Sequence, residues 1–228
     1  MDIIIALGTG SKAQDLELKY ALRGIEKHLK GFGNVILVGQ KPNWIKNVDW
    51  IPMEDVPGRK QWSIFRKIVL GCNISTDKFM FWNDDHFLLK DLKVADFKFW
   101  YEKDLNYWRG KALGQYQKAI ENTLALDGNK FYTDIHFPII YEKDKIFEMQ
   151  KLEWGKKEYV IKSAYTRNET EGFEEVYDLK LSDPMITREQ IEAKIKNRLF
   201  FSTGPYSMTP FMKSVLSDRF PNKSNFEK

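Results

Sequence analysis

Short apolar runs alternate with an amphipathic stretch in the N-terminal part of the chain. Residues 2–8, 34–39 and 48–52 are apolar runs of strand length, and the first of them ends in Gly8-Thr9-Gly10. Between the first two, residues 13–30 carry apolar side chains at helical spacing, namely Leu18, Leu22, Ile25 and Leu29. The pattern predicts a buried strand, an amphipathic helix and further strands, joined by a right-handed crossover.

A second round of helix and strand follows the third apolar run. Residues 61–72 place Trp62, Phe65 and Val69 on one helical face, and residues 79–82 form a buried apolar strand. Two such rounds predict an α/β fold with a nucleotide-binding sheet flanked by helices.

The C-terminal half has a less regular pattern. Residues 132–141 alternate and predict a strand, which Pro138 limits to an edge or a bulge. Residues 143–151, 187–200 and 208–220 predict helices, while residues 159–165 fit either a helix or a strand.

No repeat or low-complexity linker divides the chain. We therefore expect a single domain over residues 1–228.

Composition narrows the possible classes of protein. The 228 residues are 43% hydrophobic, enough for a core, and their net charge of +4 permits phosphate binding or weak nucleic-acid binding without demanding either. The single cysteine, Cys72, excludes an internal disulfide framework and a cysteine-rich zinc site. With no signal-like or membrane-spanning run, the sequence predicts a soluble, cytoplasmic protein.

The strongest chemical signal is Asn83-Asp84-Asp85, which directly follows the buried run at residues 79–82. Such a group can be a turn whose side chains cap the next segment. It can also be a site for Mg²⁺ or Mn²⁺ and a diphosphate, because ligands of α/β sheets bind at the carboxyl ends of the strands and carboxylate oxygens suit these ions. The apolar context favours the second interpretation, since paired acids beside a buried strand need compensating charge.

Three segments together resemble a known group of enzymes: residues 17–27, 35–44 and 79–87. In order and spacing they are similar to the core of Stealth-type sugar-phosphate transferases and to small phage and bacterial glycosyltransferases with an Asn-Asp-Asp-His-Phe strand end. Asn83 stands where the Asp-x-Asp motif of GT-A glycosyltransferases usually begins. The resemblance implies a GT-A-like fold, a nucleotide-diphosphate sugar donor and a Mn²⁺ or Mg²⁺ cofactor. It also implies that the single domain has a donor-binding part at about residues 1–92 and an acceptor part at about residues 93–228.

Site residues follow partly from this resemblance. It implies that Asp85, Asp84 and His136 hold the metal and that Asp134, His136 and Asp84 are catalytic candidates. Asp134 and His136 are also expected to share one strand face, because they are two residues apart. Donor-binding candidates are Gly8, Thr9, Gly10, Arg23, Arg66, Lys67 and Asn83, and candidates for acceptor or phosphate contacts are His86, Lys162, Ser163 and Tyr165.

Each of these candidates also has an ordinary structural interpretation. A lone histidine in an apolar segment is often a core residue, and an arginine beside an apolar stripe is often salt-bridged. The glycines after the first strand can form an ordinary turn, and they do not make a full dinucleotide fingerprint.

Three functions remain open from the sequence. The first is a metal-dependent glycosyltransferase whose acceptor is unknown, a saccharide or a modified nucleic acid. The second is transfer of a sugar-1-phosphate, as in Stealth proteins. The third, of another class, is a non-catalytic module that binds nucleotides or nucleic acid.

Overall fold

The computed structural model describes residues 1–228 as twelve strands, eight helices and one 3-10 turn at Val94–Asp96. The strands are β1 Asp2–Leu7, β2 Leu29–Lys30, β3 Val35–Gly39, β4 Asp49–Ile51, β5 Lys78–Trp82, β6 His86–Leu88, β7 Leu92–Lys93, β8 Phe99–Tyr101, β9 Ile139–Glu142, β10 Phe173–Glu175, β11 Lys180–Leu181 and β12 Phe200–Thr203. The helices are α1 Leu16–His28, α2 Lys60–Ile74, α3 Leu105–Arg109, α4 Gly114–Leu124, α5 Lys143–Met149, α6 Ile161–Thr166, α7 Arg188–Ile195 and α8 Pro210–Arg219.

A five-stranded sheet of order β4–β3–β1–β5–β9 forms the centre of the molecule. The first four strands in this order are parallel, and β9 joins β5 in the antiparallel direction. The predicted α/β fold is confirmed. Because β1, β3, β4 and β5 run in one direction, the segments that follow them all emerge at the same edge.

Helices cover both faces of this sheet. Ile3 and Ile5 of β1 pack in the cluster that contains the apolar stripe of α1, whereas Ile4 packs in the cluster that contains Phe65 and Ile68 of α2. This division follows from the alternation of side chains along a strand. A parallel sheet buried on both faces needs apolar residues at every position, which explains the unbroken run from Ile3 to Ile5.

A second, smaller sheet has the order β11–β12–β6. It packs with α7 and α8 around a third apolar cluster, in which Phe87 lies against Phe201 with ring centroids 4.8 Å apart. Its register aligns His86 with Ser202 and Ser202 with Lys180. The sheet therefore brings residues near the end of the chain alongside the acid turn that precedes β6.

The strand expected over residues 132–141 is wrong in its first seven positions. Only Ile139–Glu142 forms a strand, and the preceding segment is irregular. Pro138 has no N–H to donate to a ladder, so pairing with β5 begins after it. Asp134 and His136 therefore do not share a strand face.

The helix expected over residues 187–200 is too long. The Thr187–Gln190 capping box is present, but α7 ends at Ile195, and Phe200, the last residue expected in the helix, begins β12. Phe200 and Phe201 pair with β6, and this tertiary contact overrides the helical periodicity. Residues 159–165, left open above, include helix α6. None of the helices combines the length and the hydrophobicity needed to cross a lipid bilayer.

Arg23, a donor-binding candidate, instead anchors the C-terminal segment to α1. Its guanidinium donates two hydrogen bonds of 2.7 Å to the two carboxylate oxygens of Glu227, and a third of 2.9 Å to the carbonyl of Phe220. The side chains are 12% and 2% exposed, respectively, so the pair is largely removed from water. Paired hydrogen bonds of this kind fix geometry as well as charge.

Substitution of Arg23 with Ala should lower the free energy of unfolding by about 3 kcal/mol, because the buried carboxylate of Glu227 loses its partner. Urea unfolding followed by circular dichroism measures the change. Arg66 is exposed on α2 and serves as the control, since Arg66→Ala should change stability by less than about 1 kcal/mol. Equal stability of both variants would contradict a structural role for Arg23.

Candidate active site

A cleft of about 630 Å³ opens at the carboxyl edge of the central sheet. Its walls combine segments that follow three parallel strands with residues from the C-terminal half of the chain. The strand-end segments contribute Gly8, Thr9, Gly10 and Ser11 after β1, Asp55 after β4, and Asn83, Asp84 and Asp85 after β5. The C-terminal half contributes His136, Lys180, Thr203 and Gly204. Its position agrees with the rule that open α/β sheets bind ligands beyond the carboxyl ends of their strands.

The acid turn, residues Asn83 to Asp85, is held between β5 and β6. The backbone N–H of His86 donates to the carbonyl of Asn83 at 3.3 Å. The buried indole N–H of Trp82 donates to the carbonyl of His86 at 3.0 Å. The last residue of β5 therefore bonds to the first residue of β6, which fixes the turn that carries the carboxylates.

Asp84 is the carboxyl group most perturbed by this setting. Its pKa is raised to about 7, first by desolvation and then by the negative charges of Asp85 and Glu17. Although part of Asp84 reaches the cleft, protein surrounds its carboxylate closely. Asp84 is therefore able to take up or release a proton near neutral pH.

Asp85 lies between two nitrogen-bearing side chains. One carboxylate oxygen is 3.6 Å from His86 Nε2, and the other is 3.9 Å from Lys180 Nζ. Burial, and then the positive charge of Lys162, lower the pKa of His86 well below its usual value. His86 is thus neutral, and the ammonium group of Lys180 is the nearest positive charge to Asp85.

Both ring nitrogens of His136 form hydrogen bonds to charged side chains. Its Nδ1–H donates to Asp178 Oδ2 at 2.6 Å, and its backbone N–H donates to the same oxygen at 3.1 Å. At the other side of the ring, Lys180 Nζ donates to Nε2 at 3.0 Å. An ammonium group can only donate a hydrogen bond, so Nε2 is the acceptor. Its lone pair points at Lys180, which lines the cleft.

Lys67, a donor-binding candidate, lies in the wall of the cleft with its charge already paired. Its ammonium group donates to the carboxylate of Asp55 and to the carbonyl of Leu7, both at 2.7 Å. Gly8 leaves the space for Asp55, because a Cβ at Gly8 would lie 2.8 Å from Asp55 Oδ2. Any larger residue at this position would require the carboxylate of Asp55 to shift.

Several predicted site residues do not line the cleft. Asp134 accepts a hydrogen bond of 2.9 Å from the Tyr116 hydroxyl, and Arg66 is exposed beside Trp62. Lys162, Ser163 and Tyr165 are buried in α6. Arg23 is bound to Glu227, as described above.

Lys162 positions the segment that carries His136. Its buried ammonium donates to the carbonyls of Ile135 and Phe137 at 2.6 and 2.7 Å, on either side of the histidine. Ser163 Oγ accepts from the N–H of Thr133 at 3.0 Å, and the Tyr165 hydroxyl accepts from the N–H of Glu142 at 3.0 Å. All three side chains therefore bond to backbone groups around the segment that carries His136.

Sequence reasoning missed the two residues that contact His136 from either side. Asp178 and Lys180 lie on a short alternating stretch, in which the intervening Leu179 and the following Leu181 are buried. This two-residue period was a readable signal of a half-buried strand with charged side chains on one face. Asp55 gave no comparable signal, because its role depends on Lys67, which is distant in sequence.

No group of three or more His, Cys, Asp or Glu side chains converges closely enough to hold a metal ion. The arrangement of Asp85 and His136 nevertheless suits one, because both approach a single cation, the ammonium of Lys180. Their carboxylate and imidazole donors fit Mn²⁺, and a histidine that donates its other N–H to a carboxylate is typical of metal ligands.

Comparison with solved structures defines the fold class. The chain superimposes on the galactosyltransferase LgtC, solved in complex with donor and acceptor sugar analogues, with a TM-score of 0.53 at 11% sequence identity. The superposition covers 99% of this chain and 98% of LgtC. The expected GT-A fold is therefore confirmed.

Sequence comparison adds two relatives, the capsular polysaccharide phosphotransferases eps5J and CpsJ of Streptococcus thermophilus. Each is 28% identical to this chain over 89 residues, which are 34% of this chain and 37% of the relative. The match therefore spans well under half the length of these relatives. No family model matches the chain.

The raised pKa of Asp84 makes the stability of the metal-free protein depend on pH. Between about pH 4 and 7 the folded state keeps a proton that the unfolded state, with an ordinary pKa of 3.8, has released. Stability should therefore fall as pH rises through this range. Asp84→Asn removes the effect and should be at least about 1 kcal/mol more stable than wild type at pH 8.

Thermal and urea unfolding in the presence of a chelator, at pH 4 and pH 8, measure this difference. At pH 4 the advantage of Asp84→Asn should disappear. Asp77→Asn is the matched control, because Asp77 is exposed just before the opposite end of the same strand. An advantage of Asp84→Asn that is equal at both pH values would refute the raised pKa.

Proposed function

We propose that this chain is a metal-dependent glycosyltransferase that transfers a sugar from a nucleotide-diphosphate sugar to an acceptor. The observation that carries the proposal is the cleft at the carboxyl edge of a GT-A sheet, which is lined by both the glycine loop after β1 and the acid turn after β5. Its volume of about 630 Å³ lies within the usual range for small-molecule sites. The matched capsular polysaccharide phosphotransferases support a role in sugar transfer.

Residues of both predicted parts of the chain would hold the donor. Gly8, Thr9 and Gly10 allow the backbone to approach the nucleoside, and Arg59 adds a positive charge to the lining of the cleft. The Arg59 guanidinium is fixed by the carbonyls of Trp154, Gly155 and Lys157. The division into a donor-binding part and an acceptor part stays a prediction. His136 and Lys180, from the second part, line the same cleft as the glycine loop of the first part.

Asp85 and His136 would hold Mn²⁺ or Mg²⁺, with Asp84 beside them. A bound divalent ion supplies charge neutralisation of the diphosphate leaving group. Asp178 would keep the Nε2 lone pair of His136 directed into the site through the hydrogen bond at Nδ1. Asn83 lines the cleft next to the acids and offers an amide rather than a charge.

Asp84 is the best-placed group for proton transfer. It lines the cleft directly beside Asp85, and in the metal-free protein desolvation raises its pKa to about 7. Asp134, by contrast, is engaged by Tyr116 outside the cleft. We therefore assign acid–base chemistry to Asp84, toward an acceptor that is a saccharide or a modified nucleic acid.

Transfer of a sugar-1-phosphate is the second candidate, favoured by the sequence match to capsular polysaccharide phosphotransferases. The two reactions break different bonds of the same donor. Sugar transfer releases a nucleoside diphosphate, whereas sugar-phosphate transfer releases a nucleoside monophosphate. The nucleotide product, separated by ion-exchange chromatography, decides between them.

Asp85→Asn should abolish the stabilisation that a nucleotide diphosphate and Mn²⁺ produce together, and should lower kcat/KM roughly 100-fold or more. Thermal unfolding with a panel of nucleotide diphosphates and their sugars measures the first effect, which reaches about 2.7 kcal/mol at 100 times Kd in the wild type. Donor hydrolysis or transfer measures the second.

Asp77→Asn, at the other end of the same strand, is the control and should behave like wild type. If the metal-free protein turned over donor as fast as the metal-loaded protein, the proposal would fail. Strongly salt-dependent binding that survives Asp85→Asn without any turnover would instead indicate the non-catalytic binding module.

A further inference from the structure

The ammonium group of Lys180 contacts both Asp85 and His136, the two proposed metal ligands. Its Nζ lies 3.0 Å from Nε2 of His136 and 3.9 Å from a carboxylate oxygen of Asp85. The remaining ring nitrogen of His136 is already bound to Asp178. The one lone pair of His136 that can bind a metal ion is therefore the one that accepts a proton of the ammonium group.

The small sheet β11–β12–β6 fixes the backbone of Lys180 but leaves its side chain free to move. β11 pairs with β12 and β12 with β6, in a register that aligns Lys180, Ser202 and His86. Buried Leu179 and Leu181 on either side turn the lysine toward the opposite face. The backbone is thus fixed, whereas the Lys180 side chain is 36% exposed and has room to move.

We propose that Lys180 is a resident cation, which occupies the metal position when no metal is bound and which a divalent ion must displace. The inference rests on the function proposed above and concerns how its metal site is filled. The ammonium compensates Asp85 in the free protein and satisfies His136 Nε2, so the site keeps its shape without a metal. A divalent ion and Lys180 then compete for the same two ligands, Asp85 and His136. The two cations cannot share these ligands, because their like charges would repel each other at such close range.

Displacement also changes what Lys180 can contact. Four side-chain carbons separate its ammonium from the backbone, so the charge can turn toward the open cleft once Asp85 and His136 bind a metal ion. A donor diphosphate in that cleft is an anion of the kind an ammonium binds. Lys180 would therefore pass from a carboxylate to a phosphate as the site fills.

The test is metal affinity in the absence of any donor. Mn²⁺ binding is measured by the electron paramagnetic resonance signal of the free ion in wild type, Lys180→Met and Lys60→Met. Lys60 lines the same cleft and carries the same charge, but no contact with Asp85 or His136 is present. Lys180→Met should bind Mn²⁺ roughly tenfold more tightly than wild type, whereas Lys60→Met should bind like wild type.

Tighter binding by Lys180→Met alone supports the resident cation. Binding by Lys180→Met that is equal to or weaker than that of wild type overturns it, as does an equal gain in both lysine variants, which would indicate a general effect of net charge. If wild type binds Mn²⁺ and Asp85→Asn does not, the proposed metal site stands even when the lysine inference fails. If none of the variants binds Mn²⁺, both fall.

A second measurement uses the unsubstituted protein, in case Lys180→Met does not fold. During a Mg²⁺ titration followed by NMR, the ¹⁵N resonance of His136 Nε2 and the side-chain resonances of Lys180 should shift with one midpoint. Release of the lysine from the imidazole requires both changes together. A shift at His136 without any change at Lys180 would contradict the displacement.

Discussion

Two adjacent carboxylates at the end of a buried strand need positive charge nearby, and the rest of the site is arranged around that need. Asp84 loses its negative charge by protonation below its pKa of about 7, whereas the charge of Asp85 is balanced by the ammonium group of Lys180. The small sheet β11–β12–β6 brings that ammonium to the acid turn. An element near the C-terminal end of the chain therefore completes a site that the N-terminal half begins.

His136 shows how much support a single side chain receives. Asp178 sets its tautomer, Lys180 covers its second nitrogen, and Lys162 holds the carbonyls of the residues before and after it. Without regular secondary structure around it, the ring depends on these side chains for its orientation. Such support is what a ligand or catalytic group needs, since its geometry must not drift between turnovers.

The N-terminal rounds of strand and helix were predictable because the local sequence pattern determines them. The unbroken apolar run from Ile3 to Ile5 predicts a strand buried on both faces, and its side chains do pack in two different clusters. The acid turn was also predictable, because its two carboxylates directly follow an apolar strand. The C-terminal half depends on long-range pairing, so the predicted helix over 187–200 ended early at Ile195 and the segment around His136 proved irregular. Arg23 resembled a phosphate ligand until its partner, Glu227, was located far along the chain.

The indole hydrogen bond of Trp82 gives the acid turn a spectroscopic marker of its own. The N–H of this ring is buried and donates to the carbonyl of His86 across the turn that carries Asp84 and Asp85. An indole proton of this kind is shielded from solvent exchange and resonates apart from the backbone amides. A rearrangement of the turn that changes this hydrogen bond should therefore shift the indole N–H resonance of Trp82.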